Sequence, residues 1–512
     1  MFDNILMGFS ISLSFQNVLF ALMGTFLGTV VGILPGLGPG ATIALLLPLT
    51  FNMDVTSAII MLSGIYYGVA YGGTLTSVLM NIPGEGCTVV TCLDGYQMAR
   101  KGRAGAALSI AAMGSFIGST LGILGITLLA PPLASVALHF GSAEFTSLMI
   151  AGLTLVTYLS SKSPIKAIAM AVCGLILGCV GLDPLEGGER FTFGIPTLLD
   201  GINIVPLAMG LFGIAEVLAM VEGSEEQRGL VAGVKLRDLL PSREELKRSL
   251  GPILRATPVG FLLGILPGGG ANLASFISYG LEKRVSKHPE RFGTGTIEGV
   301  AGPETANNAG TAGAFIPLLT LGLPFNVITA LLLAAFMLHG VTPGPMILNK
   351  APEVFWGVVT SMYIGNVMLL VLNIPLIGVF INILRIPFPI LSPVIALVCF
   401  IGAFSLAYNP MDVLIMVIFG LVGYLMRKFE YEPAPLILAY VLGPMLETSL
   451  RQALIYSNGS LSIFFTRPVS AVLLSIAFFS ITSPFLKPAF SRMKCMFPRL
   501  HGRPPGGEKT SS

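Results

Sequence analysis

Two Gly/Pro-rich stretches of the chain have the composition of an ion or carboxylate site built from backbone groups. They are GILPGLGPGAT at residues 32–42 and GILPGGGANLA at residues 264–274, 232 residues apart. Proline removes a backbone donor and breaks the helical hydrogen-bond ladder, and glycine lets a ligand approach the backbone. Helix N-termini at such a turn present free N–H groups that bind anions without an arginine, and freed carbonyls can coordinate a small cation.

A second proline-containing element follows each of these stretches. It is NIPGE at residues 81–85 and GLPF at residues 322–325. An internal repeat of this kind in an apolar chain is typical of secondary transporters. We predict that residues 35–40 and 267–271 are the tips of two helical hairpins that face one another inside the membrane and cradle an anion. Glycine and proline that only kink helices and allow close packing are the plainer alternative.

Polar residues follow each tip and are the predicted side-chain partners. If residues 304–311 are helical, their four polar side chains share one helix face, and such a stripe is expensive in a membrane unless it faces a cavity or polar partners. The predicted substrate-binding residues are Pro35, Gly36, Gly38, Gly40, Thr42, Thr74, Thr76, Asn81, Pro267, Gly268, Gly269, Gly270, Asn272, Ser275, Asn307 and Asn308. The residues expected to line the path or take part in coupling are Tyr66, Tyr67, Tyr71, Glu304 and Thr311.

The polar stripe leaves three questions of chemistry open. A candidate Na⁺ site lies near Asn307, Asn308 and Thr311, because amide and hydroxyl oxygens suit that cation. Hydrogen bonding between helices is the alternative role for Asn307 and Asn308. Glu304 is either a proton carrier or a structural hydrogen-bond acceptor.

Composition restricts the class of protein that carries these elements. The 512 residues include 29 basic and 26 acidic ones, so that 11% are charged, against about 25% in a typical soluble protein. With 54% hydrophobic residues and a mean hydropathy of +0.84, the chain is neither a soluble globule nor disordered. Its long apolar runs predict helices rather than the alternating strands of a membrane barrel.

Several activities have no basis in the sequence. The chain lacks the basic stripe of a nucleic-acid-binding protein and the phosphate-binding loop of an ATPase. It also lacks an HExxH motif, so no catalytic constellation supports an enzyme and no cofactor is expected. The six cysteines have no metal-ligand spacing and are interpreted as apolar filler.

The apolar segments predict an all-α polytopic membrane protein with about 12 transmembrane helices, each needing ~20 residues. Some of the candidate segments are then half-helices or hairpins. The candidates are residues 14–34, 56–80, 104–130, 143–160, 164–181, 203–221, 250–266, 300–323, 325–340, 354–383, 389–407, 410–426, 434–450 and 469–486.

Charge predicts the orientation and the division of the chain. Basic loops are expected in the cytoplasm, and they fall at residues 98–103, 162–166, 222–255, 281–291, 427–428 and after 487. Equivalent loops of the two halves carry opposite charge, which predicts inverted repeats. We divide the chain into a first transmembrane half (1–221), a charged cytoplasmic linker (222–250), a second half with extra helices (251–486) and a basic cytoplasmic tail (487–512). The linker is a solvated connection or a docking surface.

Two ion pairs are expected outside the polar stripe. Glu447 and Arg451 are one helical turn apart and are predicted to pair with each other. Asp94 lies close to Arg100 in the sequence and is predicted to pair with it.

Long motifs of this chain resemble the large membrane subunit of the tripartite tricarboxylate transporter family. The resemblance covers nearly the whole chain. Its motifs are residues 32–50, 64–73, 81–85, 94–105, 278–283, 299–308, 317–324 and 339–345. One departure is Phe325, which follows Pro324 where family members usually have glycine.

The resemblance implies a secondary active transporter of the bacterial inner membrane. Family substrates are carboxylates such as citrate, driven by a Na⁺ or H⁺ gradient, and transport is of the elevator type by analogy with other carboxylate carriers. The implied partners are a small four-span membrane subunit and a periplasmic solute-binding protein that delivers the substrate. A passive carboxylate channel is the alternative function, and a membrane-embedded enzyme is a more distant one.

Overall fold

The computed structural model describes residues 1–34, 37–159, 163–222, 240–268, 270–383, 386 and 388–496. Helices account for most of these residues. Long apolar stretches favour helices in a membrane because a helix satisfies its backbone hydrogen bonds internally. The predicted all-α polytopic class is confirmed at this level.

The first half consists of helices, 3₁₀ and π-helical turns, and a short β-hairpin. The helices are α1 (Phe2–Ser12), α2 (Phe15–Gly32), α3 (Pro39–Leu46), α4 (Val55–Met80), α5 (Val89–Thr91), α6 (Gln97–Arg100), α7 (Ala104–Ala137), α8 (Ser142–Leu159), α9 (Pro164–Gly178), α10 (Ile204–Ala208) and α11 (Ala215–Glu222). Strands β1 (Gly181–Leu182) and β2 (Glu189–Arg190) pair antiparallel. 3₁₀ turns span Leu47–Thr50, Gly86–Thr88 and Pro196–Leu198, and π-helical turns span Cys92–Tyr96 and Met209–Ile214.

The helices of the second half are α12 (Arg243–Ile265), α13 (Gly270–Val285), α14 (Glu298–Gly313), α15 (Phe315–Leu321), α16 (Val327–Leu338), α17 (Ile347–Lys350), α18 (Pro352–Asn373), α19 (Ile377–Ile383), α20 (Phe388–Ala407), α21 (Pro410–Lys428), α22 (Pro433–Tyr456), α23 (Ile463–Thr466) and α24 (Pro468–Met496). The second half begins with a long helix (α12), which is followed by the second tip, a shorter helix (α13) and a buried central helix (α14). A 3₁₀ turn spans Pro289–Arg291.

The described residues include eight helices that are long and apolar enough to cross a membrane. Four shorter apolar helices accompany them, at Pro39–Thr50, Pro164–Gly178, Val327–Leu338 and Pro468–Thr482. The total of about twelve spans stays a prediction.

Three predicted boundaries differ from the structure. The segment 354–383 is two helices, α18 and α19, rather than one span. Helix α12 begins at Arg243, inside the predicted linker, because Ser242 and Glu245 form a capping box there. Helix α24 runs to Met496, into the predicted tail. Residues 223–239 of the linker and 497–512 of the tail lie outside the described residues.

Helices α4 and α14 lie at the centre of the molecule, and almost every residue of each is buried. Each crosses the helix that precedes the hairpin tip of its own half, α2 or α12, at very short range. A Cβ atom on Gly28 of α2 would lie 2.3 Å from the carbonyl oxygen of Ile65, and one on Gly260 of α12 would lie 2.2 Å from that of Ala306. Glycine is therefore required at both crossings, and these two crossings hold the central helices in place.

The charged side chains at the helix ends are largely paired. The predicted pair of Glu447 with Arg451 is confirmed at 3.2 Å, and Arg451 also binds Asp183 in the β-hairpin at 2.7 Å. The pKa of Asp183 is lowered by the backbone N–H of Glu186 first and by the guanidinium of Arg451 second. This network ties the β-hairpin to α22.

The predicted pairing of Asp94 with Arg100 is wrong. The buried Asp94 carboxylate instead accepts a hydrogen bond of 2.9 Å from the Tyr279 hydroxyl. It also accepts 2.7–3.0 Å bonds from three backbone N–H groups of the loop before α14, those of Gly293, Gly295 and Thr296. The π-helical turn aims the carboxylate at this loop, so that Asp94 joins the two halves of the chain.

Replacing Asp94 with alanine is expected to destabilise the protein strongly. The backbone N–H groups of Gly293, Gly295 and Thr296 would lose their acceptor, and the buried one, that of Thr296, alone costs roughly 1–3 kcal/mol of unfolding free energy. The thermal unfolding midpoint of purified protein in detergent measures this. The matched control is Glu290→Ala, an exposed carboxylate beside the same loop, whose removal should change the free energy by no more than about 0.5 kcal/mol. Equal midpoints for the two variants would contradict the role of Asp94.

Candidate functional site

The second proline elements end their central helices in the same way. Helix α4 ends at Asn81 with φ 58°, and α15 ends at Gly322 with φ 69°, both in the left-handed conformation. The two residues are 241 residues apart. A left-handed residue terminates a helix and turns the chain sharply. Asn81 is exposed and acts as this helix end.

Each element then starts a new helical segment with a capping box. Glu85 and Thr88 form one, and Asn326 and Thr329 form the other, again 241 residues apart. In both boxes the side chain at the first position accepts from a backbone N–H, and the threonine hydroxyl accepts from the backbone N–H at the first position. Neither cap was predicted from the sequence, although the two lie at the same 241-residue spacing as the helix ends.

Residues at or next to each hairpin tip pack on residues just after the second proline element of the opposite half. A Cβ atom on Gly40 would lie 3.1 Å from Cγ1 of Val327, and one on Gly86 would lie 3.0 Å from the amide nitrogen of Asn272. The two contacts are equivalent, because Gly40 and Asn272 are 232 residues apart and Gly86 and Val327 are 241 apart. The described residues at the two tips thus contact the opposite half just after its second proline element. Pro35, Gly36 and Gly269 lie outside the described residues.

The second tip is fixed by a backbone hydrogen bond. Gly268 has φ +71°, and its N–H donates to the carbonyl of Phe325 at 3.1 Å. The buried Phe325 ring packs against Gly152 of α8. The departure from glycine at position 325 is therefore accommodated, since the backbone carbonyl is still available and the ring fills space beside α8.

The predicted polar stripe is helical and buried, and the side chain of Glu304 accepts two hydrogen bonds. The Glu304 carboxylate accepts a hydrogen bond from Thr74 at 2.7 Å and one from Thr91 at 2.5 Å. Both hydroxyls belong to the first half, so Glu304 links the central helices of the two halves. Thr91 was missed in the sequence, because only the tertiary structure brings α5 to α14.

Asn307 and Asn308 have different surroundings. The Asn308 amide donates to Ser115 of α7 at 2.8 Å and to the backbone carbonyl of Glu304 at 3.0 Å, which is the helix-to-helix role. Asn307 is 1% exposed, and neither its amide nitrogen nor its amide oxygen has a hydrogen-bond partner among the described residues. Thr311 donates to the backbone carbonyl of Asn307 at 3.1 Å. A buried, unpartnered amide is costly, and a ligand would remove this cost.

The three tyrosines form an aromatic wall next to the stripe. The rings of Tyr66 and Tyr67 stack with centroids 6.1 Å apart, and both contact Phe315 of α15. The Tyr66 hydroxyl faces Thr311 and Asn326, and Tyr71 faces Glu304. All three rings are buried between α4 and the second half.

The remaining predicted residues make mostly local contacts. The Thr42 hydroxyl donates to Gly38 and that of Thr76 to Gly73, within their own helices. Ser275 donates to Pro303 of α14 at 3.2 Å and so connects α13 to the stripe. Pro267 is buried and Gly270 is partly buried at the second tip.

Glu85 is a second carboxyl near the stripe and is not among the predicted site residues. Its Oε1 atom is buried and has no hydrogen-bond partner among the described residues, and the carboxyl interacts electrostatically with Glu304. The signal that could have found it is the alignment of the two proline elements, which places Glu85 opposite Asn326. The candidate site therefore contains two carboxyls, and no lysine or arginine is buried in the described part of the chain.

Eight long apolar helices and a buried polar stripe on a central helix define the described part of the chain as a polytopic helical membrane protein. The chain belongs to the Tripartite tricarboxylate transporter TctA family, whose sequence profile matches residues 18–438. The resemblance carried by the motifs is thereby confirmed, and the family is a transporter family.

Two relatives are known from Agrobacterium vitis. The protein named "Uncharacterized 52.8 kDa protein in TAR-I ttuC' 3'region" is 48% identical over 475 residues, which are 93% of this chain and 94% of the relative. The "Uncharacterized protein in TAR-II ttuC' 3'region" is 51% identical over 217 residues, 42% of this chain and 90% of the relative. No solved structure matches the chain.

Proposed function

We propose that the protein imports tricarboxylates or related, citrate-like carboxylates across the bacterial inner membrane by secondary active transport. A cation gradient drives the uptake, a periplasmic solute-binding protein delivers the substrate, and a small four-span membrane subunit completes the transporter. The observation that carries the proposal is the unpartnered amide of Asn307, buried on α14 one turn after Glu304, whose carboxylate is bonded to the first half. Family membership supports the substrate class and the partners.

The repeated contacts support alternating access between two inverted halves. The helix crossings at Gly28 and Gly260 recur at equivalent positions, and so do the contacts of Gly40 with Val327 and of Asn272 with Gly86. The opposite charge of equivalent loops supports the inversion. In inverted-repeat transporters one part moves against the other around a site at the repeat interface, which is the basis for an elevator-like movement here.

The chemistry of the site supports a carboxylate held without a basic side chain. Helix α3 begins beside Val327 and α13 begins beside the stripe, so that both offer N–H groups at their N-termini. The amide of Asn307 and the hydroxyl groups of the stripe add neutral hydrogen-bonding groups. A site of this kind binds the anion through dipoles rather than through an ion pair.

Uptake of labelled citrate into membrane vesicles that contain the chain and the four-span subunit tests the proposal. We expect uptake to require both an imposed Na⁺ or H⁺ gradient and the purified solute-binding protein on the periplasmic side. Vesicles without the chain are the control. Uptake that is indifferent to both additions would indicate the passive channel, and chemical conversion of the citrate would indicate an enzyme.

A further inference from the structure

The two halves differ in charge at equivalent positions around the tips. Glu85 holds the capping position that Asn326 holds in the second half, and Glu304 of α14 occupies the position of Ser63 in α4, 241 residues earlier. The contact of Asn272 with Gly86 is therefore bordered by carboxyls. The equivalent contact of Gly40 with Val327 is bordered by neutral groups. The repeat thus contains one acidic and one neutral half-site.

The acidic half-site consists of Glu85, Thr91, Asn272, Glu304 and Asn307, and contacts between the two halves close it. Asn272 lies against the backbone next to Glu85. Thr91 lies in α5, which follows the Glu85 capping box in the chain, and its hydroxyl donates to Glu304 at 2.5 Å. Asn307 follows Glu304 by one turn, on the same face of α14.

The charge of this half-site is not balanced by the protein. Neither carboxyl contacts a lysine, an arginine or a histidine in the described part of the chain, and the titratable groups that face Glu304 are Tyr71, Glu85, Cys87 and Cys92. Glu304 receives two hydroxyl bonds, whereas Oε1 of Glu85 receives none. Carboxylates removed from water need a compensating positive charge. Two neighbouring carboxylates also repel each other, which increases this need.

We propose that the acidic half-site binds the monovalent cation, Na⁺ or a proton, whose gradient drives uptake. The carboxyl and amide oxygens of Glu85, Glu304 and Asn307 are hard donors that suit Na⁺, and either carboxyl can accept a proton. The same negative charge would repel a carboxylate, so that a bound cation is needed before the substrate can bind beside Asn307. This inference rests on the proposed function, because it assigns the coupling step of that transport.

Cation binding is tested without any carboxylate. The thermal unfolding midpoint of the purified full-length protein is followed as NaCl replaces choline chloride at constant ionic strength. We expect a saturable rise of the midpoint in the wild type, and its loss in Glu85→Gln and Glu304→Gln. The control is Glu353→Gln, which removes an exposed carboxylate at the start of α18 and should keep the full response.

A milder variant separates cation binding from folding. Thr91→Val removes the hydroxyl that orients Glu304 and keeps the side-chain volume. It is expected to weaken the apparent Na⁺ affinity roughly 10- to 100-fold, as the loss of a group that orients a ligand does in metal sites. An unchanged affinity in a folded Thr91→Val protein would count against the site.

The proton is distinguished by the same measurement in Na⁺-free buffer. If the cation is a proton, the wild-type midpoint changes between acidic and neutral pH, and this change is lost in Glu304→Gln. The proposal is overturned if the wild type responds to neither cation, or if both glutamine variants keep its response. A normal cation response together with absent citrate uptake would instead overturn only the proposed carboxylate transport.

Discussion

Alanine at position 307 is expected to abolish most transport and to leave the protein as stable as the wild type, or more stable. The Asn307 amide is buried without a partner among the described residues, and such a group costs about 1–3 kcal/mol of unfolding free energy. Its removal therefore does not weaken the empty protein. A hydrogen bond to a charged ligand is worth about 1.5–3 kcal/mol, so that uptake should fall roughly tenfold or more.

Asn308 provides the matched comparison for this prediction. Its amide is bonded to Ser115 and to the backbone of Glu304, so that Asn308→Ala should lower the unfolding free energy by about 1–3 kcal/mol. Labelled-citrate uptake in vesicles and thermal unfolding in detergent are measured for both variants, with the amount of inserted protein determined by immunoblot. Wild-type uptake by Asn307→Ala, or a loss of stability equal to that of Asn308→Ala, would remove Asn307 from the site.

A single methyl group at Gly260 is expected to disrupt the second half. The added Cβ would lie 2.2 Å from the carbonyl oxygen of Ala306, well inside van der Waals contact, so that α12 and α14 must separate. Overpacking of this kind costs about 1–3 kcal/mol, and more where backbone must move. Because α14 carries Glu304 and Asn307, Gly260→Ala should reduce uptake as well as the thermal unfolding midpoint.

Two other glycine-to-alanine variants, Gly28→Ala and Gly280→Ala, are the comparisons for Gly260→Ala. Gly28→Ala places its Cβ 2.3 Å from the carbonyl oxygen of Ile65 and should have an effect similar to that of Gly260→Ala. In Gly280→Ala the new methyl group, on α13, meets no atom within 4 Å, and alanine is favoured over glycine in a helix by up to about 1 kcal/mol. A Gly260→Ala protein as stable as Gly280→Ala would show that the crossing is not tight in solution.

The membrane class, the helical class and the family followed from the sequence alone. Length of apolar segment and scarcity of charge determine whether a chain can span a membrane, and both are local properties. The polar face of α14 was also predictable, because the positions of 304, 307, 308 and 311 depend only on helical periodicity. The two proline elements were recognised from their residues, although their caps at Glu85 and Asn326 were not.

Which polar groups meet one another was decided only by the tertiary structure. The sequence predicted that Asp94 pairs with nearby Arg100, whereas the folded chain brings a loop some two hundred residues away to it. It placed Asn307 and Asn308 together, and the packing of α7 supplies a partner to Asn308 alone. Periodicity fixes the direction of a side chain, but hydrogen-bond partners depend on which helices pack against that face, and such long-range contacts leave no local pattern in the residues.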